Sequence, residues 1–148
     1  MGGAHLFRRR IDEKTKLLQS VPLFGELSRR QIAQIEQLVT EITTPAGQRL
    51  ATAGDYGKEL VIIVEGHATV IVGRKRTVRL GPGDFWGEMS LVDGGPRSAT
   101  VEAASDMRLL VVEGREFSRL LQRAPLIAIK IMRVMSQRLR DVEASVSA

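Results

Sequence analysis

Cysteine is absent from the 148 residues and histidine occurs only twice. Without thiols there is no disulfide framework, no thiolate metal site and no cysteine nucleophile. His5 and His67 stand far apart, so a metal centre built on clustered histidines and carboxylates has nothing to form around, and no metal or cofactor is expected. No Gly-x-Ser-x-Gly nucleophile turn occurs. Gly81-Pro82-Gly83 lacks the following helix that a dinucleotide loop needs. The chain therefore reads as a non-enzyme. Aromatic residues are equally scarce: one tryptophan, one tyrosine and four phenylalanines do not make a single-strand stacking platform. The longest apolar runs, Leu60–Val64 and Leu109–Val112, have the length of strands rather than of membrane spans. No signal-peptide core opens the chain, and a cytoplasmic setting is the simplest expectation.

A net charge of +5 raises the question of nucleic acid. The basic residues are dispersed, however, over Arg8-Arg9-Arg10, Arg74-Lys75-Arg76 and the pair Arg138/Arg140. Scattered solvated charge fits that distribution better than a nucleic-acid groove.

The length suits one domain, taken as 1–148. Residues 13–39 carry a helical period in Leu17, Leu18, Val21, Ile32, Ile35, Leu38 and Val39. Pro22-Leu23-Phe24-Gly25 breaks that stretch, and Ser28 with Gln31 forms a capping box that starts a second helix. N-terminal helices are thus expected over about 13–44. From 45 to 113, turn signals recur at short intervals between β-branched segments: Gln48–Ala51, Leu60–Val64, Ala68–Val72, Thr77–Leu80, Ala99–Glu102 and Met107–Val112. This is the pattern of a small antiparallel roll or barrel. Helical spacing returns over 115–146, first in Phe117, Leu120 and Leu121. After Pro125 an apolar stripe runs through Ala128, Ile131, Met135, Leu139, Val142 and Val146. Such a stripe covers the roll, a partner subunit, or both. The fold class is α+β, mainly β.

One run interrupts the strands: Phe85-Trp86-Gly87-Glu88-Met89-Ser90-Leu91, then Val92-Asp93-Gly94-Gly95, then Pro96-Arg97-Ser98-Ala99-Thr100-Val101. Glu88 opens a short helix. There it either answers the helix dipole or accepts from a ligand hydroxyl. Gly87 lets a ligand approach the backbone. Arg97 follows a loop without bulky side chains, where it is either a surface ion-pair member or a planar donor fork for an anion. Ser98 adds a hydroxyl and Ala99 an amide. An acceptor carboxylate and an anion-seeking guanidinium, so spaced, suit a ligand with hydroxyls beside a phosphate.

Gly87-Glu88-Met89-Ser90-Leu91 followed by Pro96-Arg97-Ser98-Ala99-Thr100-Val101 resembles the phosphate-binding cassette of the cyclic nucleotide-binding domain. That family includes the catabolite activator protein, the regulatory subunits of cyclic-AMP-dependent kinase and cyclic-nucleotide-gated channels. Leu60–Gly66, Gly81–Phe85 and the Val21-Pro22-Leu23-Phe24 corner are similar to the same family. The resemblance implies a jelly-roll-like β-roll with flanking helices, a cassette over 85–101 and an internal phosphate-binding helix. It implies that Gly87, Glu88 and Met89 meet the ribose, and that Arg97, Ser98 and Ala99 meet the cyclic phosphate. Val70 and Val78 would wall the base. Arg138 and Val142 match positions that some members use as a lid, although Arg138 also reads as a solvated helix residue and Val142 as a core or dimer-seam position. Ser98 permits cyclic AMP and cyclic GMP alike, Asp141-Val142-Glu143 offers no adenine-reading hydroxyl pair, and family frequency puts cyclic AMP first. About six residues follow Val142, too few for a DNA-reading helix-turn-helix. The expected protein is a stand-alone sensor with a cyclic nucleotide as its partner. A homodimer through the final helix and a nucleotide-independent interaction protein on the same fold are the further expectations.

Overall fold

The computed structural model describes residues 13–74 and 76–147, with side chains described to residue 144. His5, the Arg8–Arg10 arm, Lys75 and the Val146 side chain lie outside the described residues.

Residues 13–20 are helical (α1) and run into a 3₁₀ turn, Pro22–Phe24, at the proline that ends the helical period. Helix α2, Arg29–Glu36, begins at the expected capping box: the Ser28 hydroxyl accepts from Gln31 N at 3.2 Å, and Ser28 N donates to Gln31 Oε1 at 3.0 Å. At its far end the Lys14 ammonium donates to the carbonyls of Glu36 and Val39, both at 2.8 Å, and so satisfies groups that the helix leaves open.

Among the described residues eight strands follow: β1 Thr40–Thr44, β2 Arg49–Ala51, β3 Glu59–Glu65, β4 Ala68–Val72, β5 Arg76–Leu80, β6 Phe85–Trp86, β7 Thr100–Ala103 and β8 Met107–Glu113. They form two four-stranded antiparallel sheets, ordered β1-β8-β3-β6 and β2-β7-β4-β5. A short helix α3, Glu88–Asp93, separates β6 from β7, and helices α4, Gly114–Arg123, and α5, Pro125–Ser147, close the chain. Pro125 occupies the first position of α5, where its missing N–H costs nothing.

One boundary moves. The N-terminal helices were expected to reach about residue 44 and the roll to begin at 45, but Thr40–Thr44 is a strand, paired with β8 from Thr40↔Val111 to Thr44↔Met107. It is an edge strand exposed over its first four residues, so it carries no apolar alternation for a periodicity argument to find.

The first sheet divides two cores. Leu60 and Ile62 of β3, Phe85 of β6, and Leu110 and Val112 of β8 pack against the helices, around Phe24, Ile32, Ile35, Phe117, Leu120 and Ile127. The alternate residues Val61, Ile63, Trp86, Met107 and Leu109 face the second sheet, meeting Ala68, Val101 and Ala103. A strand buried on both faces reads as an unbroken apolar run, and Leu60–Val64 is such a run. Ser28→Ala is expected to lower unfolding free energy by about 1 kcal/mol in urea titration, while Ser28→Asp stays near wild type.

Candidate functional site

The β6–α3 turn places the acidic end of the site. Gly87 caps α3 with φ +98°, a left-handed conformation that other L residues avoid, and a Cβ there would lie 2.2 Å from the Glu59 carbonyl oxygen. Glu88 follows as the first residue of α3 and is only 2% exposed. Its partner comes from the opposite end of the chain. Arg138 Nη1, on α5, donates to Glu88 Oε1, and Nη2 donates to the Phe85 carbonyl at 2.5 Å. The guanidinium also lies over the Phe85 ring, 5.2 Å from its centroid. Among residues 136–144 of α5, Arg138 alone is half-buried and the rest are exposed.

Arg97 is set by the loop between β2 and β3. Arg97 N donates to Asp55 O at 2.7 Å, and Gly54 N donates to Arg97 O at 2.9 Å, so the main chain is held on both sides. Its side chain turns inward. Nη2 donates to Glu59 O at 3.2 Å, while Nη1 is buried without a hydrogen-bond partner. Burial pulls the guanidinium below its ordinary pKa, and the charges of Glu59 and Glu88 push the other way. The group remains a cation at any ordinary pH.

Between these charges lies a cavity of about 280 Å³. Gly87, Glu88, Met89, Arg97, Ser98, Ala99, Val70, Val78, Arg138 and Val142 all line it. The pleat explains the valines: Val70 pairs with Val78 on one side and Val101 on the other, which turns all three to the inner face of the second sheet. Arg138 is not a solvated helix residue, because it is bonded to Glu88. The apolar stripe of α5 divides: Ile131 is buried and Met135 half-buried, whereas Leu139 and Val142 are exposed.

Trp86, Arg76 and Asp141 also line the cavity, and the sequence pattern assigns none of them a role there. Trp86 is 6% exposed, and its Nε1 is buried without a partner. The only tryptophan standing next to Gly87 was the available signal. Arg76 had been grouped with a solvated hairpin tip, yet it pairs with Val72 and turns into the cavity mouth. Asp141 lines the cavity from α5 and accepts from Gln137 Nε2 at 3.0 Å. Among the described residues no group of three or more His, Asp or Glu side chains could hold a metal ion. None of the described helices is long and apolar enough to cross a membrane.

A family model described as "Cyclic nucleotide-binding domain" matches residues 41–124. The chain is 38% identical over 130 residues to a cyclic nucleotide-gated potassium channel of Mesorhizobium japonicum, covering 88% of this chain and 36% of that protein. It is 31% identical over 131 residues to the cyclic AMP receptor protein of Thermus thermophilus, covering 85% of this chain and 61% of that one. The crystal structure of the Thermus thermophilus catabolite activator protein superposes with a TM-score of 0.77 at 30% identity, over 85% of this chain and 62% of that chain. This chain thus spans about a third of the channel's length and less than two thirds of the receptor's. The matched residues are more than half of the chain and contain the whole run from Phe85 to Val101, so the chain belongs to the cyclic nucleotide-binding domain family.

Proposed function

We propose that this chain binds a purine 3′,5′-cyclic monophosphate, cyclic AMP ahead of cyclic GMP, and reports occupancy through its C-terminal helices. The observation that carries this reading is one cavity with a buried carboxylate and a half-buried guanidinium at one end and valines along its sheet wall. Arg97 keeps a buried nitrogen without an acceptor, and a cyclic phosphate supplies acceptors for a planar fork. Ser98 and the Ala99 amide stand beside it as further donors. Glu88, with the Gly87 and Met89 backbone, takes the ribose 2′-hydroxyl. Val70 and Val78 face the base, while Arg138 and Val142 close over it from α5. Cyclic AMP comes first because a receptor for it is among the similar proteins. No other cofactor enters the reading.

The signalling step follows from the same contacts. Arg138 ties α5 to the carboxylate that the ribose would engage, so a ligand on Glu88 changes how strongly α5 is held. Its effect on α5 is bounded by its differential affinity for the docked and released helix. Ile129, Met132 and Leu139, exposed on the α5 face turned from the core, favour self-association along this helix as an added element of the reading.

Calorimetry is expected to show binding of cyclic AMP, and weaker binding of cyclic GMP, by the folded wild-type chain. Arg97→Ala should lose about 2 kcal/mol of that binding, as expected for a charge-assisted contact. Folded wild-type protein that binds neither nucleotide would overturn the reading. In Arg138→Ala, ligand-free amides of α5 beyond Met135 should exchange faster by mass spectrometry, and unchanged protection would remove α5 from the signal path. Light scattering should give a dimer that Leu139→Glu dissociates; a monomeric wild type would rule the dimer out.

A further inference from the structure

The Arg97 guanidinium lies in a slot with a glycine on each side. A Cβ on Gly57 would stand 1.9 Å from Arg97 Nε and 2.3 Å from both Cζ and Nη2. On the other side, a Cβ on Gly87 would stand 2.4 Å from Arg97 Nη1. The two glycines differ in what requires them. Gly87 has φ +98° and would be needed for its backbone alone. Gly57 is not among the glycines of positive φ, so its backbone is open to any L residue. Its nearest neighbours are neither backbone nor core: they are the far end of one flexible side chain, that of Arg97. The same loop fixes the Arg97 main chain through Asp55 and Gly54. The loop between β2 and β3 thus holds Arg97 at its main chain and leaves room for it at its tip.

We propose that Gly57 is a positioning residue for the anion site, its missing side chain being the space in which the Arg97 guanidinium is held ready. The proposal rests on the reading of Arg97 as the phosphate partner. The physical gain is preorganisation. A guanidinium fixed with Nη2 on the Glu59 carbonyl and Nη1 left over presents its free donors without losing rotamer freedom at the moment of binding. A side chain at position 57 displaces the guanidinium from the slot. The chain then folds as before, but the donors must be gathered again for each ligand.

Calorimetry with cyclic AMP on the full chain tests this. Gly57→Leu should weaken binding roughly thirtyfold, close to the loss in Arg97→Ala, with Gly57→Ala in between. Because Gly57 acts through Arg97, the double variant Gly57→Leu/Arg97→Ala should bind no more weakly than Arg97→Ala alone, an interaction that a merely structural residue would not show. The melting temperature of Gly57→Leu should stay within about 3 °C of wild type. A second readout needs no ligand. The Arg97 Nη–H signal, assigned by its loss in Arg97→Ala, should be protected from exchange in wild type, where Nη2 bonds the Glu59 carbonyl and Nη1 is buried, and join the exposed arginines in Gly57→Leu. Affinity of Gly57→Leu within about twofold of wild type, or a further loss in the double variant, would overturn the proposal. Loss of cooperative melting in Gly57→Ala would also overturn it, since the fold itself would then need the glycine. If wild type binds neither cyclic nucleotide, the functional reading falls, and the Arg97 resonance still decides the role of Gly57.

Discussion

Glu88 is a carboxylate with 2% exposure, and a charge so far from water persists only beside counter-charge and hydrogen-bond donors. Much of the architecture can be traced to that constraint. Arg138 supplies the ion pair, and to do so α5 must cross the open side of the roll. Arg97 adds a second positive charge from the other side, close enough that Glu88 acts on its titration. The left-handed turn at Gly87 delivers the carboxylate to the place where both guanidinium groups act on it. With Arg76, Arg97 and Arg138 set against Glu88 and Asp141, the cavity lining keeps a net positive charge, which is the electrostatic condition for an anionic ligand.

The two cores share this work unequally. Strands β3, β6 and β8 of the first sheet pack on both faces, and β6 puts Phe85 into the helical core and Trp86 into the interior of the roll. Arg138 touches both sides of that division, because it bonds the Phe85 carbonyl, lies over the Phe85 ring and holds Glu88. A shift of α5 is therefore felt at the strand that carries the site, without any long relay of side chains. The N-terminal segment is tied into the same body: Lys130 of α5 donates to the Pro22 carbonyl at 3.0 Å, and Arg123 of α4 donates to the Gln34 carbonyl at 3.0 Å.

What was legible in the sequence was local. The capping box at Ser28, the apolar run of β3 and the cassette from Gly87 to Val101 each state their structure within a few residues. The strand β1 was not legible, because an edge strand that exposes Ile42 has no inward face to mark it. The resemblance places Arg138 at the site, but its ion pair with Glu88 and the place of Arg76 in the cavity lining were not legible, for a different reason. A guanidinium on a helix or a hairpin looks the same in sequence whether it meets water or lines a cavity, and for Arg138 the deciding contact spans fifty residues. Gly57 lies between these cases. A glycine close after the Gly54-Asp55 turn signal looks in sequence like part of the turn, and only the structure shows that its φ does not need a glycine and that Arg97 fills the space of a side chain.

The walls of the cavity differ in how firmly they are held. Val70, Val78 and Val101 sit on strands joined by continuous ladders, so they move together or not at all. The wall made by α5 is of another kind: residues 136–144 are exposed, apart from Arg138. A ligand that gains contacts on both walls cannot deform the sheet cheaply, because each ladder bond lost exposes backbone donors and acceptors. What ties the half of α5 around Arg138 to the roll includes its ion pair with Glu88, its bond to the Phe85 carbonyl and its place over the Phe85 ring, all contacts of side chains rather than of a ladder. On the proposed reading the free energy of occupancy would appear at α5 rather than in the roll, since the half of α5 that holds Arg138 is the least buried part of the described helix.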